Sequence, residues 1–343
     1  MKNSVRVCDY IAERLSSYGV KYVYGLMGGG ASGLNDGFIQ NKSIEYICFH
    51  HEQGAGYAAV GESKITNNIS VVNPTTGCGG GNCITPLMVA FQDSLPVVFI
   101  SGNTKLNQTS TYINEKQNVK IRKYGLQEND IISIVKSMTK YAKLVEDAKD
   151  VPEILDYAID QALSGRMGPV WIDIPSDIQH AYLPEDYKTY LKNDCDDSRV
   201  FEISDLLLSS KRPLILAGNG IHLSNAREDF NKFIHKYNVP VVTSYLAIDL
   251  LQYEDPLLIG TIGIKGSRAG NFAIQNCDLL LVLGCSLNCS HTGYDEKLFS
   301  PNSYKIMVDI DKNEYNKKTV NIDKFIESDL GYFFRNVKWK LDW

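Results

Sequence analysis

Short runs of β-branched and apolar residues alternate with stretches in which apolar positions recur every three or four residues, and the alternation continues along almost the whole chain. That pattern predicts a doubly wound α/β protein, with mainly parallel sheets and helices on both faces. Strands are expected at residues 20–24, 44–49, 69–72, 97–101, 138–140 and 170–174, where Pro175 ends the series. Helical spacing covers residues 5–17, 53–64, 81–92 and 151–163. A polar stretch with Pro184 and a cluster at 193–198 follows, which reads as a linker. A second alternation then predicts strands at 213–217, 239–243, 257–260, 279–283 and 305–309, with a helix at 229–237. The expected division is a first domain at 1–178, a linker at 179–200, a second domain at 201–332 and a connecting tail at 333–343.

A length of 343 residues suits two domains. The chain is 44% hydrophobic and 22% charged, with 40 acids against 35 Lys and Arg and a net charge of −5. That balance argues against disorder and gives no polyanion-binding surface, so no nucleic-acid partner is expected. The longest apolar run, Leu279 to Leu283, has the length of a buried strand and not of a membrane span. Residues 5–17 space their charges along an amphipathic helix and lack the apolar core of a signal peptide, so a cytoplasmic location is expected. Eight cysteines without a CxxC pair read as reduced thiols, and Cys78/Cys83 and Cys285/Cys289 read as buried small hydrophobes; no metal ligands are assigned.

Two motifs compete for the chemistry of the first domain. Gly28, Gly30 and Gly33 satisfy GxGxxG after the first expected strand, and Glu52 follows 19 residues later. Alone, this pattern suggests a dinucleotide site, with amides at a helix N-terminus meeting a pyrophosphate and the acid on a ribose. The other motif begins at His50-His51-Glu52-Gln53-Gly54-Ala55-Gly56, where an acid opens a helix of small residues that allow close approach. From this residue alone, a helix cap or dipole partner is an equally good reading of Glu52. Strand-end packing is the preferred role for His50 and His51.

Further stretches decide between them. Tyr24-Gly25-Leu26-Met27-Gly28-Gly29-Gly30, His51-Glu52-Gln53-Gly54-Ala55, Thr75-Thr76-Gly77-Cys78-Gly79-Gly80-Gly81-Asn82, Gln92-Asp93-Ser94-Leu95-Pro96-Val97, Gln127-Glu128 and Gly168-Pro169-Val170-Trp171-Ile172-Asp173-Ile174-Pro175 occur in this order. Ala217-Gly218-Asn219-Gly220, Pro240-Val241-Val242-Thr243, Ala269-Gly270-Asn271 and Asp309-Ile310-Asp311 follow in the second domain. Over nearly its whole length the chain resembles the thiamine diphosphate enzymes of the acetohydroxyacid (acetolactate) synthase type, through their pyrimidine-binding and central domains.

The resemblance implies thiamine diphosphate as cofactor, with Glu52 on the pyrimidine ring nitrogen. A carboxylate there favours the tautomer whose 4′-nitrogen removes the thiazolium proton. The glycine loop Gly28 to Gly30 would form a close-approach wall around the reacting carbon, with Gly29 among the catalytic residues and Met27 and Gly28 contacting the cofactor. Thr76, Gly77, Gly79 and Asn82 would pack over the pyrimidine face, and Gln127 would point toward substrate. The implied reaction is loss of carbon dioxide from a 2-keto acid, with pyruvate the first choice, followed by transfer to an acceptor or by protonation. The protein would be a carboligase, transferase, lyase or decarboxylase.

The likeness also implies a third domain carrying a GDG segment that holds Mg2+ and the diphosphate. No GDG occurs here, so the chain is expected to hold half a cofactor site and to be inactive alone. Such sites form between subunits, which makes a homodimer or homotetramer the expected assembly. The family's charged GxRFDDR segment corresponds here to Gly284-Cys285-Ser286-Leu287-Asn288-Cys289-Ser290, without its charges. Bound FAD and a second keto acid are therefore not expected, and an aldehyde or a keto-sugar nucleotide fits better as acceptor. The readings from other classes are an NAD-dependent oxidoreductase and a noncatalytic nucleotide-binding protein using Gly218 to Gly220 with Asp309 or Asp311.

Overall fold

Val71, Val98, Ile100, Val170 and Ile172 are buried because each sits on a strand covered on both faces, the situation that favours β-branched runs over alternating patterns. The structure, a computed structural model, describes residues 5–191, 201–202 and 210–338. The chain divides into two compact units, Met1–Asp194 and Cys195–Trp343.

The first unit holds six strands: β1 (Tyr22–Gly25), β2 (Glu45–Cys48), β3 (Ser70–Asn73), β4 (Val97–Asn103), β5 (Tyr141–Leu144) and β6 (Val170–Pro175). They form one parallel sheet in the order β2-β1-β3-β4-β6-β5. The chain crosses to opposite sides of β1 to build β2 and β3. The crevice outside the carboxyl ends of β1 and β3 is therefore the place where open α/β sheets bind ligands. One face is covered by α1 (Val7–Ser17), α2 (Ser32–Gln40) and the helix Val151–Leu163, through Ile11, Leu15, Leu34, Phe38, Leu155 and Ile159. The alternate strand residues Phe99 and Trp171 stack at 4.8 Å on the other face. There α3 (Glu52–Thr66), α4 (Cys78–Asn82) and α5 (Ile84–Gln92) lie.

The second unit has its own parallel sheet, made of β8 (Pro213–Ala217), β9 (Val241–Thr243), β10 (Leu258–Thr261), β11 (Leu279–Leu283), β12 (Tyr304–Asp309) and β13 (Lys324–Glu327), with β7 (Phe201–Glu202) paired separately to β14 (Val337–Lys338). Its order is β10-β9-β8-β11-β12-β13. Counted from β8 this is the 3-2-1-4-5-6 arrangement of dinucleotide-binding sheets. The GxGxxG match thus lies in the unit whose sheet does not have that order.

Several expectations shift. The strand expected at 138–140 forms at Tyr141–Leu144, an edge strand whose Tyr-Ala-Lys-Leu sequence carries no apolar run. β13 escapes the pattern for the same reason, being two apolar residues between charges on an edge of the second sheet. The helix expected at 81–92 is two helices joined at Cys83. Residues 179–191, expected to begin a linker, pack on the first unit: Val7 N donates to Ala181 O, Leu183 N to Val5 O, and the Tyr190 hydroxyl to Asp160. The start of the expected tail lies in the second core, where Phe333 is fully buried beside Phe201 and Phe334. Residues 192–200, with Cys195, and 339–343 lie outside the described residues. Cys78 and Cys289 are exposed, against the expectation, while Cys83 and Cys285 are buried.

Candidate functional site

Three loops meet at the crevice between β1 and β3. The first follows β1 and runs from Met27 to Ala31 into α2. Gly28 and Gly30 are there because of the second loop, Pro74 to Gly77: a Cβ on Gly28 would lie 2.5 Å from Thr75, and one on Gly30 would collide with the Thr76 hydroxyl. Thr76 is buried and its hydroxyl donates to Gly102 O at 3.4 Å. Gly102 in turn admits no Cβ against the Gly30 carbonyl. These glycines make the loops interlock. Gly29 differs, since nothing lies within 4 Å of where its Cβ would stand, and Met27 is 53% exposed. The expected wall of Gly28 to Gly30 is thus open at Gly29, and neither Gly29 nor Met27 makes a polar contact with Glu52 among the described residues.

Glu52 begins α3 and is only 7% exposed. The cap of that helix is His51, whose Nδ1 accepts from Gln53 N at 3.1 Å; this is its role, instead of strand-end packing. With the cap supplied by His51, the Glu52 carboxylate is not spent on its own helix. Its Oε2 accepts from Asn82 Nδ2 at 2.9 Å, across 30 residues of sequence. Its Oε1 faces Gly79, where an added Cβ would lie 3.1 Å from that oxygen and 2.8 Å from Thr75 Cγ2. Among the described residues no group donates to Oε1. The Cys83 thiol holds the Glu52 carbonyl at 3.6 Å from beneath, which anchors the first turn of α3 to the α4–α5 junction.

Gly77 has φ +63°, and a Cβ there would collide with the Gln127 carbonyl. The third loop therefore meets the site through its backbone. Gln127 is itself left-handed, at φ 55°, and its side chain is exposed. What fixes that loop is the next residue: Glu128 is 4% exposed and accepts from Tyr124 N at 2.9 Å and the Ser110 hydroxyl at 3.0 Å.

The residue that sequence reasoning missed most completely is Gln179. It is fully buried; its Oε1 accepts from Gly33 N at 3.0 Å and Leu34 N at 3.2 Å, and its Nε2 donates to Gly30 O and Ile174 O at 2.7 Å each. The amides at the start of α2, which a dinucleotide pyrophosphate would need, are already occupied by this side chain. Glu52, which would have held the ribose, is bonded to Asn82. The dinucleotide reading of Gly28, Gly30 and Gly33 fails on both counts. A second hidden network lies under the site: Asp173 accepts from the Ser101 hydroxyl and Asn103 Nδ2 at 2.6 Å each, and Ser101 accepts from Trp171 Nε1 at 2.8 Å. Burial pushes the Asp173 carboxyl up, and the two donors pull it back, leaving it at about 7. The only advance signal was Asp173 inside an apolar strand.

An acceptor oxygen with one face open, beside a glycine and at the carboxyl end of a parallel sheet, suits a ligand that presents a hydrogen-bond donor. Residues 5–134 match the family model for the thiamine pyrophosphate enzyme N-terminal TPP binding domain, and residues 200–336 match that for the thiamine pyrophosphate enzyme central domain. The chain belongs to the thiamine pyrophosphate enzymes. It is 31% identical over 312 residues to the acetolactate synthase isozyme 2 large subunit of Escherichia coli, covering 90% of this chain and 54% of that protein. It is 31% identical over 327 residues to the acetolactate synthase large subunit of Lactococcus lactis, covering 93% and 54%. To the chloroplastic acetolactate synthase of Arabidopsis thaliana it is 28% identical over 318 residues, covering 90% and 45%. The chain spans about half the length of the curated relatives it matches.

The residues fit the pyrimidine end of that cofactor, because Glu52 Oε1 is free among the described residues and Gly79 leaves space beside it. They do not make a metal site: no three His, Cys, Asp or Glu among the described residues are grouped to hold an ion. No helix among them is long and apolar enough to cross a membrane.

Proposed function

We propose that the first unit holds the aminopyrimidine of thiamine diphosphate through Glu52, in a protein that joins the decarboxylation of a 2-keto acid, pyruvate first among them, to transfer onto an acceptor. The single observation that carries this reading is the half-satisfied, buried Glu52 carboxylate. When bound, the cofactor supplies an electron sink for the carbon that loses carbon dioxide. Glu52 Oε1 accepts the hydrogen bond that orients the ring and holds its proton, while Asn82 keeps the carboxylate from rotating away. Gly79 keeps the face beside Oε1 clear. Thr76, locked to Gly102 and against Gly30, fixes the loop over the ring, and Gly77 lets the Gln127 loop close against it. Met27 and Gly29 line the open side, where substrate would approach.

The diphosphate and Mg2+ would be held by a further domain of the kind the family carries, in a homo-oligomer that completes the site between subunits. Loss of the charged segment at Gly284 to Ser290 supports an acceptor without a carboxylate in that position, and argues against bound FAD. Decarboxylation ending in protonation remains the second reading, favoured by the same uncharged segment.

The test is turnover of pyruvate by the full-length protein with thiamine diphosphate and magnesium. Glu52→Gln is expected to lower kcat by about 10²-fold or more, the usual worth of a group engaged in proton transfer. Undiminished activity in that variant would sink the assignment.

A further inference from the structure

The helix α4 meets the Glu52 carboxylate on two sides. Asn82 Nδ2 donates to Oε2 at 2.9 Å, and a Cβ on Gly79 would lie 3.1 Å from Oε1. Yet its sequence, Cys78-Gly79-Gly80-Gly81-Asn82, is a poor one for a helix. Three consecutive glycines are the weakest helix formers apart from proline, and Gly77 before them brings no side-chain cap. The place of so short a helix comes from what it packs on.

Gly80 is the residue that rests on the sheet. The position of its missing Cβ lies 3.5 Å from Trp171 Cζ2 and 3.5 Å from Ile131 Cδ1, so the backbone of α4 sits directly on the indole. Trp171 is fully buried, and its ring lies flat on Phe99 with an interplanar angle of 2°. Stacking leaves the ring free to slide in its own plane, and a polar latch removes that freedom. The indole N–H, a donor only, donates to Ser101 Oγ at 2.8 Å. The single proton of that hydroxyl goes on to Asp173 Oδ1 at 2.6 Å, and Asn103 Nδ2 holds Oδ2 at 2.6 Å. Ser101, Asn103 and Asp173 are all buried. Filling the sheet interior calls for no carboxylate, since apolar residues would do so without the desolvation cost of an acid. An acid at the end of the latch is needed only if the orientation of the indole matters.

We propose that Trp171, latched through Ser101 to Asp173, is a positioning residue for Glu52: it is the floor under α4 that holds Asn82 and Gly79 at the carboxylate. This role rests on Glu52 being the acid that meets the cofactor, and it adds what keeps that acid aimed. Without the Ser101 hydroxyl the indole N–H is stranded in a dry place, so the ring shifts toward another acceptor and Gly80 shifts with it.

The test is a double-mutant cycle in the full-length protein, with thiamine diphosphate titrated calorimetrically in the presence of magnesium and kcat measured with pyruvate. Ser101→Ala is expected to weaken cofactor binding about tenfold and to lower kcat by a similar factor, the effect of losing one buried hydrogen bond. Trp171→Phe keeps a ring on Phe99 and leaves Ser101 paired to Asp173; the same losses are expected from it, which covers a failure of Ser101→Ala to fold. Circular dichroism and urea unfolding report folding. Added to Asn82→Ala, either substitution should cost less than about threefold more, because the aim of Glu52 is already gone, whereas a residue that only steadies the sheet gives losses that multiply. Arg14→Gln breaks the ion pair with Asp156 on the opposite face of the sheet, and should lower the urea midpoint while leaving cofactor binding as in the parent. The role of Trp171 is overturned if the folded variants bind the cofactor as the parent does, or if their losses multiply with that of Asn82→Ala. Glu52→Gln keeps the two readings apart: full turnover in it overturns the assignment of Glu52 and this role with it, while multiplying losses beside an inactive Glu52→Gln overturn the role of Trp171 alone.

Discussion

Asn82 Nδ2 donates to Glu52 Oε2 at 2.9 Å, and this bond leaves the opposite carboxylate oxygen facing the gap over Gly79. The pair is set by three independent elements. The end of β2 delivers Glu52 to the start of α3, His51 takes over the capping of that helix, and α4 brings Asn82 in from the loop after β3. The carboxylate is aimed from one side only, so it can accept from a ligand on the other.

Asn82→Ala therefore removes the aim while leaving the acid. Activity of the full-length protein should fall about tenfold, the worth of one hydrogen bond to a charged group, with little change in the denaturation midpoint because Asn82 is only half-buried. Steady-state kinetics beside urea unfolding separate the two quantities, and an unchanged kcat would show that Glu52 orients itself.

Gln179→Ala should act the other way, on the fold. It strands two amides and two carbonyls in a dry place, at a cost of about 2–4 kcal/mol. The urea midpoint of the first unit should drop accordingly at an unchanged slope. A drop below half a kcal/mol would mean that water replaces the side chain.

Asp173 makes stability depend on pH in the sense opposite to that of a salt-bridged acid. Its carboxyl lies at about 7 in the fold, above the ordinary 3.8 of an aspartate, so the native state binds the extra proton. Its stabilising contribution is full below about pH 4 and is lost as pH rises through 7. The span is worth at most about 4 kcal/mol. Asp173→Asn should flatten the fall in stability between pH 5 and 7.5, measured by denaturant titration at several pH values; an equal slope in both proteins would assign the dependence elsewhere.

Gly77→Ala places a β-carbon at φ +63° into the Gln127 carbonyl. Both the strain and the clash oppose it, so the loop ending at Glu128 should be displaced, with a loss of more than about 1 kcal/mol. Faster proteolysis at Lys120, Arg122 and Lys123 than in the parent reads this directly; unchanged cleavage would mean that the two loops move apart freely.

The alternation of apolar runs and helical periods determined the two α/β units, because burial of both sheet faces imposes continuous β-branched strands that are visible one residue at a time. The helix Val151–Leu163 is found where the spacing placed it. Edge strand β13 was hidden, and β5 was expected three residues too early, because an edge needs no long apolar run. The sequence also marked Glu52, Gly79 and Asn82, through a motif order that local spacing alone does not explain. Only the tertiary structure decided what each does. Gly28 and Gly30 are loop-packing glycines because Thr75 and Thr76 lie against them, a contact made by neighbouring parallel strands and not by neighbouring residues. Gln179 occupies the amides of Gly33 and Leu34 from about 145 residues away. Hydrogen bonds of that sequence separation leave no periodic trace, so the sheet order had to be known before the glycine motif could be read.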